Sequence, residues 1–379
     1  MTMEPIAFLD LKAQQARMGT LRARVEAVFA HCQFILGPEV AELERRLAEY
    51  CGAAHCVSVS SGTDALQIAM MAEGIGRGHA VFLPAFTYTA TAEVPLVLGA
   101  TPVFVDVDAS SFQINPESLR RRIASVRDQG VLAPRAIVGV DLFGAPADWA
   151  ALRDIAEAEG LYLLDDCAQS FGASTGGRKL GREADATALS FFPSKPLGGY
   201  GDGGALLTDS EERAALYRSL RTHGEGASRY EVLRTGMNGR LDTLQAAVLL
   251  SKLDIFDEDL AARARVAATY ATHLPDGVVA QAIAKGDQSA WAIYAILLRD
   301  GATRERVQAG LRERQVPNAV YYPRPLHHQP AYVPHHDGNE LPVAEDLAGR
   351  TMALPIHPDM TDEQALHVCR CLAEALGRG

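Results

Sequence analysis

Apolar and polar positions change their period repeatedly along this chain. Val40, Leu43, Leu47 and Tyr50 recur at helical spacing, which predicts an amphipathic helix over residues 40–50. Short, nearly unbroken apolar runs then follow at 56–59, 80–83, 103–105, 136–140, 161–164, 188–192 and 205–207. Many are separated by Ala-, Leu-, Glu- and Arg-rich segments of helix length. Continuous apolar runs with helical spacers are the signature of strands buried on both faces, so the pattern predicts an α/β fold with about seven mostly parallel strands. The last runs lie close together, which predicts that part of the sheet is antiparallel.

Residues 241–265 read as one long helix that leads into a smaller C-terminal α+β domain. The expected division is a large domain over 1–260, N-terminal segment included, and a small one over 261–379. Within the latter, the pattern predicts an apolar strand-like run at 291–298 and a helix at 304–314. A Pro- and His-rich loop at 321–336 and a final helix after Thr361 follow.

Composition narrows the function classes. The chain has 379 residues, 48% of them hydrophobic and 22% charged, as in ordinary globular proteins. A formal net charge of -11 argues against a nucleic-acid partner. No apolar run approaches the roughly 18 residues of a membrane span, and the first residues lack the pattern of a signal peptide. The six cysteines are scattered without a CxxC pair, which suits buried free thiols in a reducing cytoplasm.

The candidate chemistry falls at the predicted carboxyl ends of strands, where ligands of open α/β sheets gather. Lys195 ends an apolar run, between Ser194 and Pro196, and a glycine-rich stretch follows. Partial desolvation in a rigid loop lowers an amine's pKa and aims it at a carbonyl. Asp166 ends another run; a carboxylate there can pair with a pyridine nitrogen, cap a helix or share a metal with Asp165. Lys195 and Asp166 together read as the pair that holds pyridoxal phosphate (PLP). Ser61-Gly62-Thr63 closes a strand and opens a helix, which suits either a phosphate or an ordinary cap. Ser190 is open to a phosphate contact or a backbone contact. The 74–78 glycines lie in the wrong order for a dinucleotide turn. His327, His328, His335 and His336 lack a metal-ligand spacing, so their loop is expected at the surface or facing substrate, and no metal site is expected.

These motifs resemble the PLP-dependent nucleotide-sugar aminotransferases of the DegT/DnrJ/EryC1/StrS type. The resemblance runs from Phe8-Leu9-Asp10-Leu11 to Leu354-Pro355-Ile356-His357-Pro358. It rests on Phe34-Ile35-Leu36-Gly37-Pro38, Ser61-Gly62-Thr63-Asp64-Ala65-Leu66, Phe86-Thr87-Tyr88-Thr89-Ala90-Thr91, Asp166-Cys167-Ala168-Gln169, the Lys195 loop and Gly236-Met237-Asn238-Gly239-Arg240. It implies a type I (aspartate-aminotransferase-like) fold. Lys195 would carry the cofactor as a Schiff base and act as nucleophile and acid/base, with Asp166 at the ring nitrogen and Gln169 near the ring hydroxyl. Tyr88 would stack on the ring, and Gly62, Thr63 and Ser190 would bind phosphate. Asn238 would complete the phosphate site of a partner subunit, making a homodimer with shared sites.

By the same resemblance Arg240, Tyr321 and Tyr322 contact substrate. Relatives tend to carry His-Tyr where this chain has Tyr321-Tyr322, and Arg324 is also atypical. The implied reaction moves an amino group from L-glutamate, through the pyridoxamine (PMP) form, to a nucleotide-linked 3-oxo sugar. The first expectation is UDP-2-acetamido-2-deoxy-3-oxo-glucuronate, on the way to lipopolysaccharide O-antigen. The alternative is a dTDP-3-oxo-6-deoxyhexose. Sugar dehydratases of this fold can carry His in place of the lysine, so Lys195 favours transamination; a PLP-binding sensor without turnover is a third reading.

Overall fold

A computed structural model describes residues 5–377 apart from residue 229. The seven apolar runs form one sheet: β1 His55–Val59, β2 His79–Pro84, β3 Thr101–Val105, β4 Ala133–Val140, β5 Tyr162–Asp166, β6 Ala186–Ser190 and β7 Gly204–Thr208. Their order across the sheet is β1-β7-β6-β5-β4-β2-β3. β7 alone runs antiparallel to both neighbours; the other pairings are parallel. The expected antiparallel part is thus one strand, joined to β6 by a loop instead of a helix.

Helices cover both faces, and the two large apolar clusters are the two sides of this sheet. Phe82, Val105 and Leu163 face helix Pro38–Cys51 and helix Trp149–Glu159; Val81, Leu83 and Leu164 face helix Gly62–Ala72. Burial on both sides explains why the strands read as unbroken apolar runs.

The single long helix expected over 241–265 is instead two, Thr243–Leu253 and Phe256–His273. The break falls at Asp254, whose carboxylate takes bonds from Thr20, Arg24 and Arg46. A short acid serves such contacts better than a helix interior, where it competes for backbone groups. Helix Phe256–His273 packs on helix Asp362–Ala375, which Thr361 opens with a reciprocal capping box to Gln364. A third apolar cluster joins these helices to a three-stranded antiparallel sheet, β8 Val279–Ala280, β9 Tyr294–Leu297 and β10 Thr351–Leu354, and to helix Gly301–Glu313. All six cysteines are free thiols, and Cys32 alone is exposed.

The strand register decides where the chemistry falls. Val59, the last residue of β1, pairs with Gly204, and Ser190, the last of β6, pairs with the same Gly204. Asp166 ends β5. The turn after β1, the acid after β5 and the loop after β6 therefore share one edge of the sheet.

Candidate active site

A cavity of about 460 Å³ opens at this edge, bordered by Gly62, Thr63, Tyr88, Asp166, Gln169, Ser190, Lys195, Tyr321 and Tyr322. Nine of the residues singled out from the sequence thus meet around one space. A larger groove of about 1160 Å³ lies beside Asp108, Trp149, Arg178 and Arg182 and touches none of them.

The loop that carries Lys195 is held by its own backbone. Lys195 N–H donates to the Phe192 carbonyl at 2.8 Å, and Gly199 N–H to the Phe191 carbonyl at 2.7 Å. The turn is so tight that a Cβ on Gly198 would lie 2.5 Å from the Pro193 carbonyl oxygen. Lys195 is partly accessible because it borders the cavity, yet its surroundings exclude most water. That desolvation pushes the amine below the ordinary lysine value, and the Asp166 charge opposes the shift only in part.

Asp166 is buried. Burial pushes its carboxyl above the usual aspartate value. Pulling it back are the Thr91 hydroxyl, which donates to Oδ2 at 2.9 Å, the Ala168 N–H at 3.3 Å and the Lys195 charge. Gln169 is locked at both ends: its Oε1 accepts from Phe143 N–H at 2.6 Å and its Nε2 donates to the Tyr322 hydroxyl at 3.0 Å. Burial raises the Tyr322 phenol well above its ordinary value, so it stays protonated. Tyr88 is 55% exposed toward the opening, its ring 6.3 Å from that of Tyr322.

At the other end of the cavity, helix Gly62–Ala72 begins with Ser61 as its cap, the hydroxyl accepting from Asp64 N–H at 3.0 Å. The cap contact read as an alternative to phosphate binding is therefore present on Ser61. The helix start lies against the end of β6: a Cβ on Gly62 would sit 2.7 Å from the Ser190 Cβ. Free N–H groups of a first helical turn, an adjacent hydroxyl and no side chain between them form a cradle for an anion.

The chain matches the DegT/DnrJ/EryC1/StrS aminotransferase family over residues 17–373. It belongs to this family. Among its relatives is the UDP-2-acetamido-2-deoxy-3-oxo-D-glucuronate aminotransferase of Pseudomonas aeruginosa, 44% identical over 97% of this chain and 99% of that protein. The dTDP-3-amino-3,4,6-trideoxy-alpha-D-glucose transaminase of Streptomyces venezuelae is 35% identical over 97% of this chain and 96% of that protein. A crystal structure of a DegT DnrJ EryC1 StrS aminotransferase from Brucella abortus superposes with a TM-score of 0.95 at 44% identity, covering 98% of this chain and all of that one. The chain is thus an aminotransferase with the type I fold, and enzymes of this family are PLP-dependent.

The residues present fit that cofactor. A buried carboxylate raised by desolvation suits a protonated ring nitrogen, an amine of lowered pKa lies on the same cavity, and an anion cradle closes the opposite end. Two predicted residues lie elsewhere: Asn238 and Arg240 do not border this cavity. They bond to each other, Arg240 Nη2 to Asn238 Oδ1 at 2.6 Å.

Other neighbours escaped the sequence reading. Thr91 bonds Asp166; it stood in the quoted 86–91 motif, but nothing in the sequence marked its hydroxyl as the partner of an acid 75 positions away. Asp202 borders the cavity from the glycine-rich stretch after Lys195. Phe8 and Leu9 reach it from the N-terminal segment, Phe8 with its ring 6.4 Å from that of Tyr321. The His-rich loop is not wholly superficial either: His327 is buried.

Proposed function

We propose that this enzyme transfers the amino group of L-glutamate to C3 of UDP-2-acetamido-2-deoxy-3-oxo-glucuronate, giving the 3-amino sugar for lipopolysaccharide O-antigen. The observation that carries the transaminase reading is the desolvated Lys195 amine facing buried Asp166 across one cavity. The choice of sugar is supported by 44% identity, along nearly the whole chain, to an enzyme named for that substrate. The second reading, a dTDP-3-oxo-6-deoxyhexose, is favoured by the 35% identity to a dTDP-sugar transaminase of equal coverage. The enzyme is assigned to the cytoplasm.

In this reading Gly62, Thr63 and Ser190 would hold the cofactor phosphate, Asp166 would keep the ring nitrogen protonated, and Tyr88 and Gln169 would contact the ring. When bound, PLP supplies a ring that takes up the electron pair left as a substrate carbon loses its proton. Lys195 Nζ would hold the cofactor and, once released, is the group placed to take the proton from the donor's α-carbon. Desolvation leaves this amine more readily neutral, the form that acts as a base. With the keto-sugar bound, the same nitrogen returns a proton to C3. Thr91 keeps the Asp166 carboxylate oriented and its affinity for a proton in check.

Asn238 and Arg240 act in the site of a second subunit. Supporting this are their absence from the border of their own chain's cavity and the run of exposed apolar residues Phe29, Phe34, Ile35 and Leu36 on the same molecule, of the kind that an interface covers. Arg240 then presents its fork to a substrate carboxylate or phosphate, and Tyr321 and Tyr322 line the sugar's entry. The two-domain division at 260/261 is supported by the separate apolar cluster that takes Val266, Ala267 and Tyr270 from helix Phe256–His273, while Phe256 belongs to a cluster of the large sheet.

The test is spectroscopic and then kinetic. Purified protein should be yellow and should bleach on adding L-glutamate; a yellow protein unchanged by glutamate defeats the donor assignment. Turnover with the UDP-3-oxo-glucuronate should exceed that with a dTDP-3-oxo-deoxyhexose, and the reverse order selects the second reading.

A further inference from the structure

We propose that His327, His328 and Glu345 form a binding site for a zinc-class divalent cation, separate from the catalytic cavity. His327 and His328 lie in the short 3-10 turn Leu326–His328, and Glu345 in the first turn of helix Pro342–Arg350. Their donor atoms all lie within 4.8 Å of one another. The Glu345 Oε1 is 3.2 Å from His327 Nε2 and 3.6 Å from His328 Nε2. The second distance is too long for a hydrogen bond. Both match the edges of a tetrahedron around zinc, where bonds of roughly 2.0–2.1 Å place neighbouring ligands about 3.3 Å apart.

The arrangement is held from both sides. His327 is buried, with its ring 6.3 Å from Phe104 and 5.0 Å from His336. Asp106 fixes the start of the Glu345 helix by accepting from Ala344 N–H at 2.9 Å and Val343 N–H at 3.2 Å. His328 and Glu345 are about half exposed, so an ion can enter from solvent and a fourth position is left for water.

Two imidazoles and one carboxylate select zinc, cobalt or nickel over magnesium and calcium, which prefer all-oxygen sites. The ion would tie the 326–328 turn to helix Pro342–Arg350. That turn is already bonded to the segment leading to Tyr88, through Leu326 N–H to the Ala85 carbonyl at 2.8 Å. Without metal, a hydrogen bond from His327 and an ion-pair contact from His328 would meet at the same Glu345 oxygen; zinc uptake separates that arrangement from a metal site.

The experiment uses untagged, cofactor-loaded full-length enzyme, treated with chelator and dialysed against micromolar zinc. Metal analysis should find about one zinc per chain, with content at least about tenfold lower in His328→Ala and in Glu345→Gln at the same free zinc. Cobalt in place of zinc should give the intense visible bands of a tetrahedral site in wild type only. Both substitutions are at half-exposed positions, and an unchanged cofactor spectrum verifies their folding. Wild type that takes up no zinc, variants that retain it, or displacement by millimolar magnesium would each overturn the assignment.

Discussion

Gly62 and Ser190 touch where two elements converge, the helix after β1 and the end of β6, and only a missing side chain lets them do so. A Cβ on Gly62 would stand 2.7 Å from the Ser190 Cβ and 3.2 Å from its Cα, distances that neither a strand end nor a helix start absorbs by rotating a side chain. Gly62→Ala should therefore push the helix N-terminus off the phosphate cradle while the fold stays intact. PLP affinity, followed by titrating absorbance, should fall about tenfold or more, roughly 1.4 kcal/mol. In a Ser190→Gly background, which has already lost its own hydroxyl, Gly62→Ala should cost less affinity than in wild type, because the opposing Cβ is gone. An equal cost of Gly62→Ala in both backgrounds would mean the clash is not the cause.

Lys195→Ala should still take up cofactor, since the phosphate cradle, Asp166 and Tyr88 remain. Turnover should drop by at least about 10²–10⁴-fold, the usual worth of a positioned acid/base. Full transaminase activity in that variant contradicts the role given to Lys195.

Gln169 carries a structural load that its motif did not reveal. Its Oε1 serves the buried Phe143 N–H at 2.6 Å. Gln169→Ala strands that donor, and an unpaired buried donor costs about 1–3 kcal/mol. Chemical denaturation should show this loss in the cofactor-free protein, whereas Tyr322→Phe, which frees only the other end of Gln169, should change stability less.

Asp141 and Asp165 lie buried close together behind the site, and burial pushes both carboxyls up, Asp141 to about 7. An unfolded aspartate titrates near 3.9. Between those values the folded chain binds more protons than the unfolded one, so stability falls as pH rises toward 7. Asp141→Asn keeps acceptors for Ala147 N–H and the Trp149 indole N–H and a partner for Ser170. The variant should lose most of the pH dependence of Tm between about pH 5 and 8 that Asp141 causes. An equal slope in both proteins would place the titration elsewhere.

The proposal that Asn238 serves a partner's site is tested by mixing two variants. Lys195→Ala and Asn238→Asp chains should each be inactive as homodimers. Unfolded together and refolded, half of the dimers are mixed, and one site of each mixed dimer has both native residues. Activity should recover to about a quarter of wild type. No recovery means that Asn238 serves its own chain.

The strands were legible because β1 to β7 are buried on both faces, so their apolar runs are continuous and hard to mistake. The residues at the strand ends were legible for a related reason: the parallel strands send their carboxyl ends to one edge, so Asp166, Ser190 and Gly62 meet without any need to know the loops. What stayed hidden depends on contacts across long sequence gaps. The helix break at Asp254 is set by Arg24 and Arg46, more than two hundred positions away. Thr91 acquires its task only when the helix after β2 meets the end of β5. His327 looked like one of four loop histidines until packing against Phe104 buried it.

The pairing of β1 with β7 joins Val59 to Gly204 across a long stretch of intervening chain that holds all the other strands of the sheet. β6 and β7, by contrast, are neighbours in sequence, so the lysine loop between them can close early. Contacts between distant parts of a chain form slowly, since the intervening loop must first be ordered. The phosphate turn that follows β1 therefore reaches the lysine loop only at the end of folding. Uptake of the yellow cofactor is accordingly a clock for the last step of assembly: a refolding chain acquires its helical signal first and its colour afterwards.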